Sequence, residues 1–182
     1  ITCGRGTRPG HVLADRETLA RRGVAVLDTG RGGDVTFHGP GQLVGYPIID
    51  LKRHRLDLHW YLRQVEEALI RALAAYGIPA ERHSGYTGVW TRGRKIASIG
   101  VHARDWVTWH GFALNVVTDL SFFDLIVPCG IDGVVMTSIA RETGRADLCL
   151  GDVEEPVARA FGDVFTLVSS PVPASALGAL SA

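Results

Sequence analysis

Cys129 is the side chain whose neighbours in this sequence best suit it to nucleophilic chemistry. It stands between Pro128 and Gly130, which both interrupt regular structure, and we therefore expect its thiol on a loop. A thiol attacks as its thiolate, and a free cysteine with a pKa of about 8.5 is only slightly ionised at neutral pH. A neighbouring ammonium favours the anion, and Lys95 could provide that charge and then carry the proton.

Two other interpretations of the cysteines stay open on residue types alone. Cys129 could pair with His38 or His110 instead of a lysine. It could also be a small buried apolar side chain, as we expect for Cys3 and Cys149. The odd number of cysteines, 3, without a CxxC pair argues against a disulfide scaffold or a zinc knuckle.

Lys95 is one of only two lysines, with Lys52, among 19 basic residues. It stands in the run Arg92-Gly93-Arg94-Lys95, where every other basic residue is an arginine. A guanidinium keeps its charge in proteins, whereas an amine can gain and lose a proton. The retained lysine favours a site that needs an amine, and a genomic bias toward arginine is the alternative explanation for the scarcity of lysine.

Two apolar runs, residues 96–103 and 109–117, lie between Lys95 and Cys129. We predict that they form two strands of a hairpin that turns at Asp105 and its neighbours. In that register Gly100 lies opposite Gly111. A glycine inside a strand often marks the close approach of another backbone or of a ligand, so the pair would expose a patch of backbone on the sheet.

A glycine-rich loop over residues 31–42 is the second segment suited to binding. Its glycines allow a ligand to approach the backbone, and Arg31 and His38 supply hydrogen-bond donors. An ordinary glycine-rich hairpin explains the same pattern equally well. No Gly-Lys-Ser/Thr follows, so nothing here indicates a nucleotide-phosphate loop.

The remaining periodicity predicts an α/β protein, a mixed sheet backed by helices. The longest helix has apolar side chains at steps of three and four residues, begins after Asp57 and ends at Gly77 and Pro79. The predicted elements are a buried strand over residues 24–27, an apolar strand over residues 43–49, and helices over residues 58–76, 136–143 and 152–168.

Composition limits the class of protein. With 182 residues, 46% of them hydrophobic, we expect a single domain, residues 1–182, with a loose tail over residues 169–182. Basic and acidic residues balance at 19 each, so nucleic acid and anionic membranes are not expected as partners. Without a membrane-length apolar run or a signal-peptide layout, we predict a soluble cytoplasmic protein.

The histidines lack the spacing of metal ligands, so no metal is expected.

Several motifs along the sequence occur in an order typical of one enzyme family. They are Arg31-Gly32-Gly33 followed by Thr36, His38-Gly39-Pro40-Gly41-Gln42, Gly88-Val89-Trp90, Lys95-Ile96-Ala97-Ser98-Ile99-Gly100, His110-Gly111-Phe112-Ala113-Leu114-Asn115 and Pro128-Cys129-Gly130-Ile131. Over most of its length the sequence thus resembles the lipoyl(octanoyl) transferases. Members of that family move an octanoyl group from acyl carrier protein to a lysine of lipoyl domains, and their fold resembles the catalytic domain of biotin and lipoate protein ligases.

The resemblance implies a catalytic dyad of Cys129 and Lys95, in which the lysine promotes the thiolate and moves protons. Contacts to the acyl chain and its thioester are implied for three groups of residues: Arg31, Gly32, Gly33, Asp34, Val35, Thr36, Phe37 and His38; Ser98, Ile99 and Gly100; and Gly111, Phe112 and Ala113. The implied donor is octanoyl-acyl carrier protein. The implied acceptors are lipoyl-domain proteins, such as the E2 subunits of 2-oxoacid dehydrogenases and the glycine cleavage H protein. No cofactor is implied, and we expect a monomer.

The front of the sequence departs from the family pattern. The strand and helix that normally precede the glycine-arginine turn are expected to be missing. ITCGR stands where an aromatic-Thr-Leu-Gly-Arg pattern is common. One wall of the acyl pocket would then lack its usual residues.

Two other functions remain open from the sequence. One is an ATP-dependent lipoate or biotin ligase, which resembles the same family in fold and would need adenylate-binding features. The other is a non-catalytic module that binds lipoyl domains or acyl carrier protein, in which Cys129 would be unreactive.

Overall fold

The structure is a computed structural model that describes residues 1–168 and 170–173. In chain order, its strands and helices are β1 (Thr2–Cys3), α1 (Arg16–Arg21), β2 (Leu27–Asp28), β3 (Gln42–Gly45), α2 (Leu58–Ala74), β4 (Val89–Thr91), β5 (Arg94–Arg104), β6 (Val107–Asn115), α3 (Ile139–Thr143) and α4 (Gly151–Phe165). Short 3-10 helices lie at Leu51–Arg53, Leu120–Leu125 and Pro128–Gly130.

A four-stranded antiparallel sheet, in the order β3, β6, β5, β4, forms the centre of the fold. Its middle strands are the predicted hairpin, which turns at Asp105 and Trp106, and Gly100 lies opposite Gly111 as predicted. A Cβ on Gly100 would lie 2.8 Å from the carbonyl oxygen of Gly32, and one on Gly111 would lie 2.1 Å from that of Gly45. The two glycines therefore let neighbouring backbone segments lie directly against the hairpin.

The α2 and α4 helices cover one face of this sheet and enclose the larger core. On α2 the residues at helical spacing, Tyr61, Val65, Leu69 and Leu73, are fully buried. As predicted, the Asp57 carboxylate caps the helix by accepting from the N–H of its third residue, at 3.0 Å. The predicted α/β class is confirmed by this arrangement.

A proline inside α4 is accommodated by a side chain of the preceding segment. Pro156 has no N–H to donate to the carbonyl of Asp152, four residues earlier. The Tyr76 hydroxyl donates to that carbonyl at 2.6 Å. The hydrogen bond ties the end of the α2 segment to the start of α4.

A second buried cluster lies around the parallel β1–β2 pair and the segments beside it. It comprises Ile1, Leu19, Val35, Phe37, Phe123, Leu125, Ile126 and Met136. The predicted buried strand over residues 24–27 is wrong in extent and in burial, because the strand is Leu27–Asp28 and both residues are exposed. The N–H of Val24 donates to the carbonyl of Leu19 and so completes the end of α1. Because Val24 is used in this way, the strand begins later, at Leu27.

Two other predicted elements are shorter than expected. The strand over residues 43–49 ends at Gly45 because Pro47 cannot donate to a ladder, and Thr108 Oγ1 takes over the N–H of Ile49 at 2.9 Å. The helix over residues 136–143 begins at Ile139, because the backbone before it hydrogen-bonds to both backbone groups of Lys95.

The last helix ends three residues earlier than predicted. The helix predicted over residues 152–168 is Gly151–Phe165, and Thr166 takes a left-handed conformation after it. Residues 170–173 are exposed and belong to no helix or strand, whereas residues 169 and 174–182 of the predicted loose tail lie outside the described residues. In the described part of the chain, no helix combines the length and apolar character needed to cross a membrane.

Candidate active site

A cavity of about 360 Å³ lies where the hairpin, the glycine-rich loop and the Cys129 turn meet. Both Lys95 and Cys129 line it. Most of the other residues named from the sequence do so as well: Arg31, Gly33, Asp34, Thr36, His38, Ser98, Ile99, Gly100, Gly111, Phe112 and Ala113. Segments far apart in the chain therefore meet around one thiol and one amine.

The Cys129 turn is a 3-10 turn with the cysteine in a left-handed conformation, φ 56°. For a residue other than glycine this conformation costs roughly 1–2 kcal/mol. The backbone N–H of Cys129 donates to the carbonyl of Val35 at 2.8 Å, which holds the turn against the glycine-rich loop. The half-buried thiol lies 3.5 Å from Oγ of Ser98 on β5.

Lys95 is fully buried, with 0% of its surface exposed. Its Nζ donates to the carbonyl of Thr87 at 3.2 Å and lies 4.7 Å from the centre of the Trp90 ring. A cation over an indole face is attracted by the ring's quadrupole. The lysine is thus fixed from several directions while its side chain still lines the cavity.

Arg31 braces the glycine-rich loop from within. Its guanidinium donates to the carbonyl oxygens of Thr2 and Asp34, both at 2.6 Å, and to that of Gly32 at 3.1 Å. Burial lowers the pKa of the guanidinium, and the charges of Cys129 and other groups partly oppose that shift. The donors of Arg31 are therefore largely occupied by the protein's own backbone.

Three residues named from the sequence, Gly32, Val35 and Phe37, lie outside the cavity lining. The N–H of Gly32 donates to the carbonyl of Val101 at 2.8 Å, which joins the loop to β5. Val35 is fully buried, and the Phe37 ring stacks on Phe122 with 4.7 Å between ring centres. These residues support the cavity from behind.

Several lining residues were not identified as site residues from the sequence. They are Thr2, Thr29, Val44, Tyr46, Gly85, Tyr86, Thr87 and Ile131. The glycine-punctuated loop before β4 was the available signal for Gly85, Tyr86 and Thr87. Thr2 and Thr29 carried no local signal.

The two candidate histidine partners, His38 and His110, also line the cavity. Nδ1 of His38 lies 2.9 Å from Oε1 of Gln42. Burial lowers the pKa of His38, against the opposing effect of the Gln42 hydrogen bond, and burial together with the Arg31 charge lowers the pKa of His110. Among the described residues, the side chain hydrogen-bonded to the Cys129 thiol is Ser98 and not a histidine.

The lowered histidine pKa values predict that acid destabilises the fold. An unfolded histidine, with a pKa of about 6.5, binds a proton at a higher pH than folded His38 does, so the unfolding free energy falls as pH drops through that value. Urea unfolding at several pH values between about 7.5 and about 5.5 measures the slope of the unfolding free energy against pH. We expect His38→Asn to reduce it and His59→Asn, at an exposed position, to leave it unchanged. An unaltered slope in His38→Asn would contradict the prediction.

Within residues 1–168 and 170–173, no group of three or more His, Cys, Asp or Glu side chains could hold an ion. The polar groups around the cavity are a thiol, an amine, a guanidinium, a carboxylate, two imidazoles, hydroxyls and backbone amides. Of these, the thiol, the amine and the backbone amides suit acyl transfer.

Solved structures define the fold class. A T. acidophilum protein described as a lipoate protein ligase with bound lipoic acid matches with a TM-score of 0.72 and 16% identity, over 97% of this chain and 74% of that one. The biotin protein ligase from Aquifex aeolicus in complex with biotin and ATP matches with a TM-score of 0.56 and 18% identity, over 91% and 69% of the two chains. The fold is that of the lipoate and biotin protein ligases.

Similar sequences identify the family to which the chain belongs. The chain belongs to the lipoyl protein ligase A/B catalytic domain family, whose model matches residues 1–162. The octanoyltransferase of Chloroflexus aurantiacus is 52% identical over 170 residues, 92% of this chain and 76% of the relative. That of Geobacter metallireducens is 55% identical over 146 residues, 80% and 68% of the two chains. Because these relatives are octanoyltransferases, the chain is an enzyme of the acyltransferase class.

Proposed function

We propose that this enzyme transfers an octanoyl group from acyl carrier protein to a lysine of lipoyl domains through an acyl-enzyme on Cys129. The observation that carries the proposal is the placement of a half-buried thiol and a fully buried amine, Cys129 and Lys95, on one partly apolar cavity. The names of the sequence relatives supply the octanoyl group. Acceptors would include E2 subunits of 2-oxoacid dehydrogenases and the glycine cleavage H protein.

The first half of the reaction exchanges one thioester for another. The Cys129 thiolate attacks the carbonyl carbon of the donor's octanoyl thioester and forms a new carbon–sulfur bond. The bond to the donor sulfur breaks, and the leaving thiolate takes a proton from the Lys95 ammonium. Because a thioester is both lost and gained, this step is nearly balanced in free energy.

The second half makes an amide and drives the transfer forward. The amine of the acceptor lysine attacks the carbonyl carbon of the acyl-enzyme, and the bond to Cys129 breaks. The amine gives up a proton to neutral Lys95, which returns to its ammonium form beside the regenerated thiolate. Ile99, Phe112 and Val44 line the cavity and would keep water from the intermediate.

The described residues form one acyltransferase domain in this proposal, because the larger buried cluster lines the cavity and the smaller one supports the Cys129 turn from behind. Ile99 and Phe112 belong to the larger cluster, and Val35, which holds the Cys129 turn, belongs to the smaller one. The cytoplasmic location and the monomeric state stay predictions.

Mass spectrometry of the intact protein tests the acyl-enzyme. After mixing with octanoyl-acyl carrier protein, we expect a gain of one octanoyl group in wild type and none in Cys129→Ser. Cys3→Ser and Cys149→Ser are matched controls that should keep the gain. If the acyl group still appears in Cys129→Ser, Cys129 is not the nucleophile.

The same mixture separates the rival functions when a lipoyl domain is added. Transfer to the domain without ATP is expected from the proposed mechanism. A strict requirement for ATP would identify a ligase instead. Binding of either protein without acylation of Cys129 would identify a non-catalytic module.

A further inference from the structure

Glu66 is a buried charge that the transfer reaction described above does not use. It lies on α2 and is 0% exposed, although glutamate is almost never fully buried unless it is paired. Arg63 Nη1 lies 2.6 Å and Arg82 Nε 3.2 Å from its Oε2. Both cations act on one carboxylate oxygen, which leaves Oε1 for a different partner.

That partner is a backbone amide beside Lys95. Oε1 of Glu66 accepts from the N–H of Gly88 at 3.1 Å. The carbonyl of the same peptide group belongs to Thr87, and it accepts from Nζ of Lys95 at 3.2 Å. A single peptide group therefore joins a buried carboxylate to a buried amine.

Hydrogen bonds in such a chain polarise and strengthen one another, by about 10–30% per bond. A negative charge at the N–H end of the Thr87–Gly88 peptide makes its carbonyl oxygen a stronger acceptor. The stronger acceptor holds Nζ of Lys95 more firmly in place. The bridge thus acts on the position of the amine.

Gly88 makes the bridge sterically possible. Its φ of 137° is a conformation that L side chains rarely adopt. A Cβ there would lie 2.8 Å from Cε of Lys95 and 2.7 Å from the carbonyl oxygen of Ala97. The peptide can lie against the lysine only because this side chain is absent.

We propose that Glu66 is a positioning residue for the transfer reaction, and that it acts on Lys95 through the Thr87–Gly88 peptide. It touches neither the thiol nor the cavity. The inference rests on the proposed role of Lys95 as the proton carrier for Cys129.

Charged and titratable groups face Lys95 from two sides. On the cavity side they are Cys129, Arg31, Asp34, His38, His110, Tyr46 and Tyr86. Away from the cavity they are Glu66 with Arg63 and Arg82, His83 next to the Trp90 ring, and Glu142 paired with Arg94. Of these groups, Glu66 is the carboxylate that a peptide hydrogen bond connects to the lysine.

Alkylation of Cys129 by iodoacetamide, followed on its own peptide by mass spectrometry, tests the proposal across a pH series. With Glu66→Gln the ammonium supports the thiolate less well, so alkylation should require higher pH. We expect the half-maximal pH to rise by about half a unit, which is roughly a threefold lower rate on the rising limb. The measurement needs no acyl substrate, so it can fail independently of octanoyl transfer.

Glu67→Gln is the matched control. Glu67 is the next residue on α2 and pairs with Arg71 and Arg82, but its hydrogen bonds do not reach Gly88. Its alkylation profile should match wild type. An unshifted profile in folded Glu66→Gln, or equal shifts in both variants, would overturn the proposal.

A second variant keeps the test decisive if Glu66→Gln does not fold. Glu66→Asp keeps a negative charge near Arg63 and Arg82 but is one methylene too short to reach the Gly88 N–H. We expect the same upward shift in half-maximal pH. A wild-type profile in folded Glu66→Asp would show that the peptide bridge has no role.

Discussion

Lys95→Arg is expected to lower the rate of octanoyl transfer by about 100- to 10,000-fold, the usual contribution of a positioned acid or base. The substitution keeps a positive charge near Cys129, but a guanidinium does not release its proton in proteins. The donor's leaving thiolate would then lack its proton source. Single-turnover transfer from octanoyl-acyl carrier protein to a lipoyl domain measures the effect.

Two comparisons separate proton transfer from charge and from folding. Lys52→Arg changes the other lysine, which is exposed, and should stay within about twofold of wild type. Alkylation of Cys129 by iodoacetamide should persist in Lys95→Arg, because the positive charge that favours the thiolate remains. Wild-type turnover by Lys95→Arg would make the lysine a structural residue only.

The hairpin was predictable because its signals are local. Two apolar runs joined by a two-residue turn fix the register of two strands, and this places Gly100 opposite Gly111. The position of Lys95 and Cys129 on one cavity could not be derived from their spacing in the sequence. It depends on the Cys129 turn, whose position is set by a hydrogen bond to Val35 in a distant loop, and only the family resemblance implied it.

The contacts of buried charged residues could not be predicted from the sequence. Arg31 was identified as a donor for a ligand, yet a buried guanidinium must satisfy its own donors, and backbone carbonyls of Thr2, Gly32 and Asp34 do this. Glu66 carried no functional signal on α2, where a carboxylate is normally solvated. Its burial follows from contacts with Arg82 and Gly88 that helical periodicity does not encode.

Phe112 lies between the cavity and a neighbouring groove, and its position predicts which length of acyl chain the enzyme accepts. Its ring belongs to the lining of the cavity and also to an apolar groove of about 460 Å³, whose wall includes Leu43 and Phe161. Its ring stacks on that of Phe161 with 5.3 Å between centres. It fits closely because Gly45 has no side chain, since a Cβ there would lie 2.3 Å from the ring.

Phe112→Ala is therefore expected to shift the enzyme toward longer acyl chains. Without the ring, the cavity opens into the groove, and additional methylenes gain an apolar environment instead of meeting a wall. One methylene in an apolar pocket is worth about 10- to 200-fold in specificity, so the preference for dodecanoyl over octanoyl donors should rise about tenfold or more. Ratios of kcat/KM for the two thioesters measure this.

Phe161→Ala is the control, because it removes the other ring of the stack from the groove without opening the cavity. Both variants lose a packed aromatic side chain, at a cost of about 3–5 kcal/mol when it is fully buried, so their stabilities can be compared directly. The dodecanoyl preference should change in Phe112→Ala and stay near wild type in Phe161→Ala. Equal ratios in the two folded variants would mean that the ring at position 112 does not limit chain length. If Phe112→Ala does not fold, Phe112→Leu should show a smaller shift in the same direction.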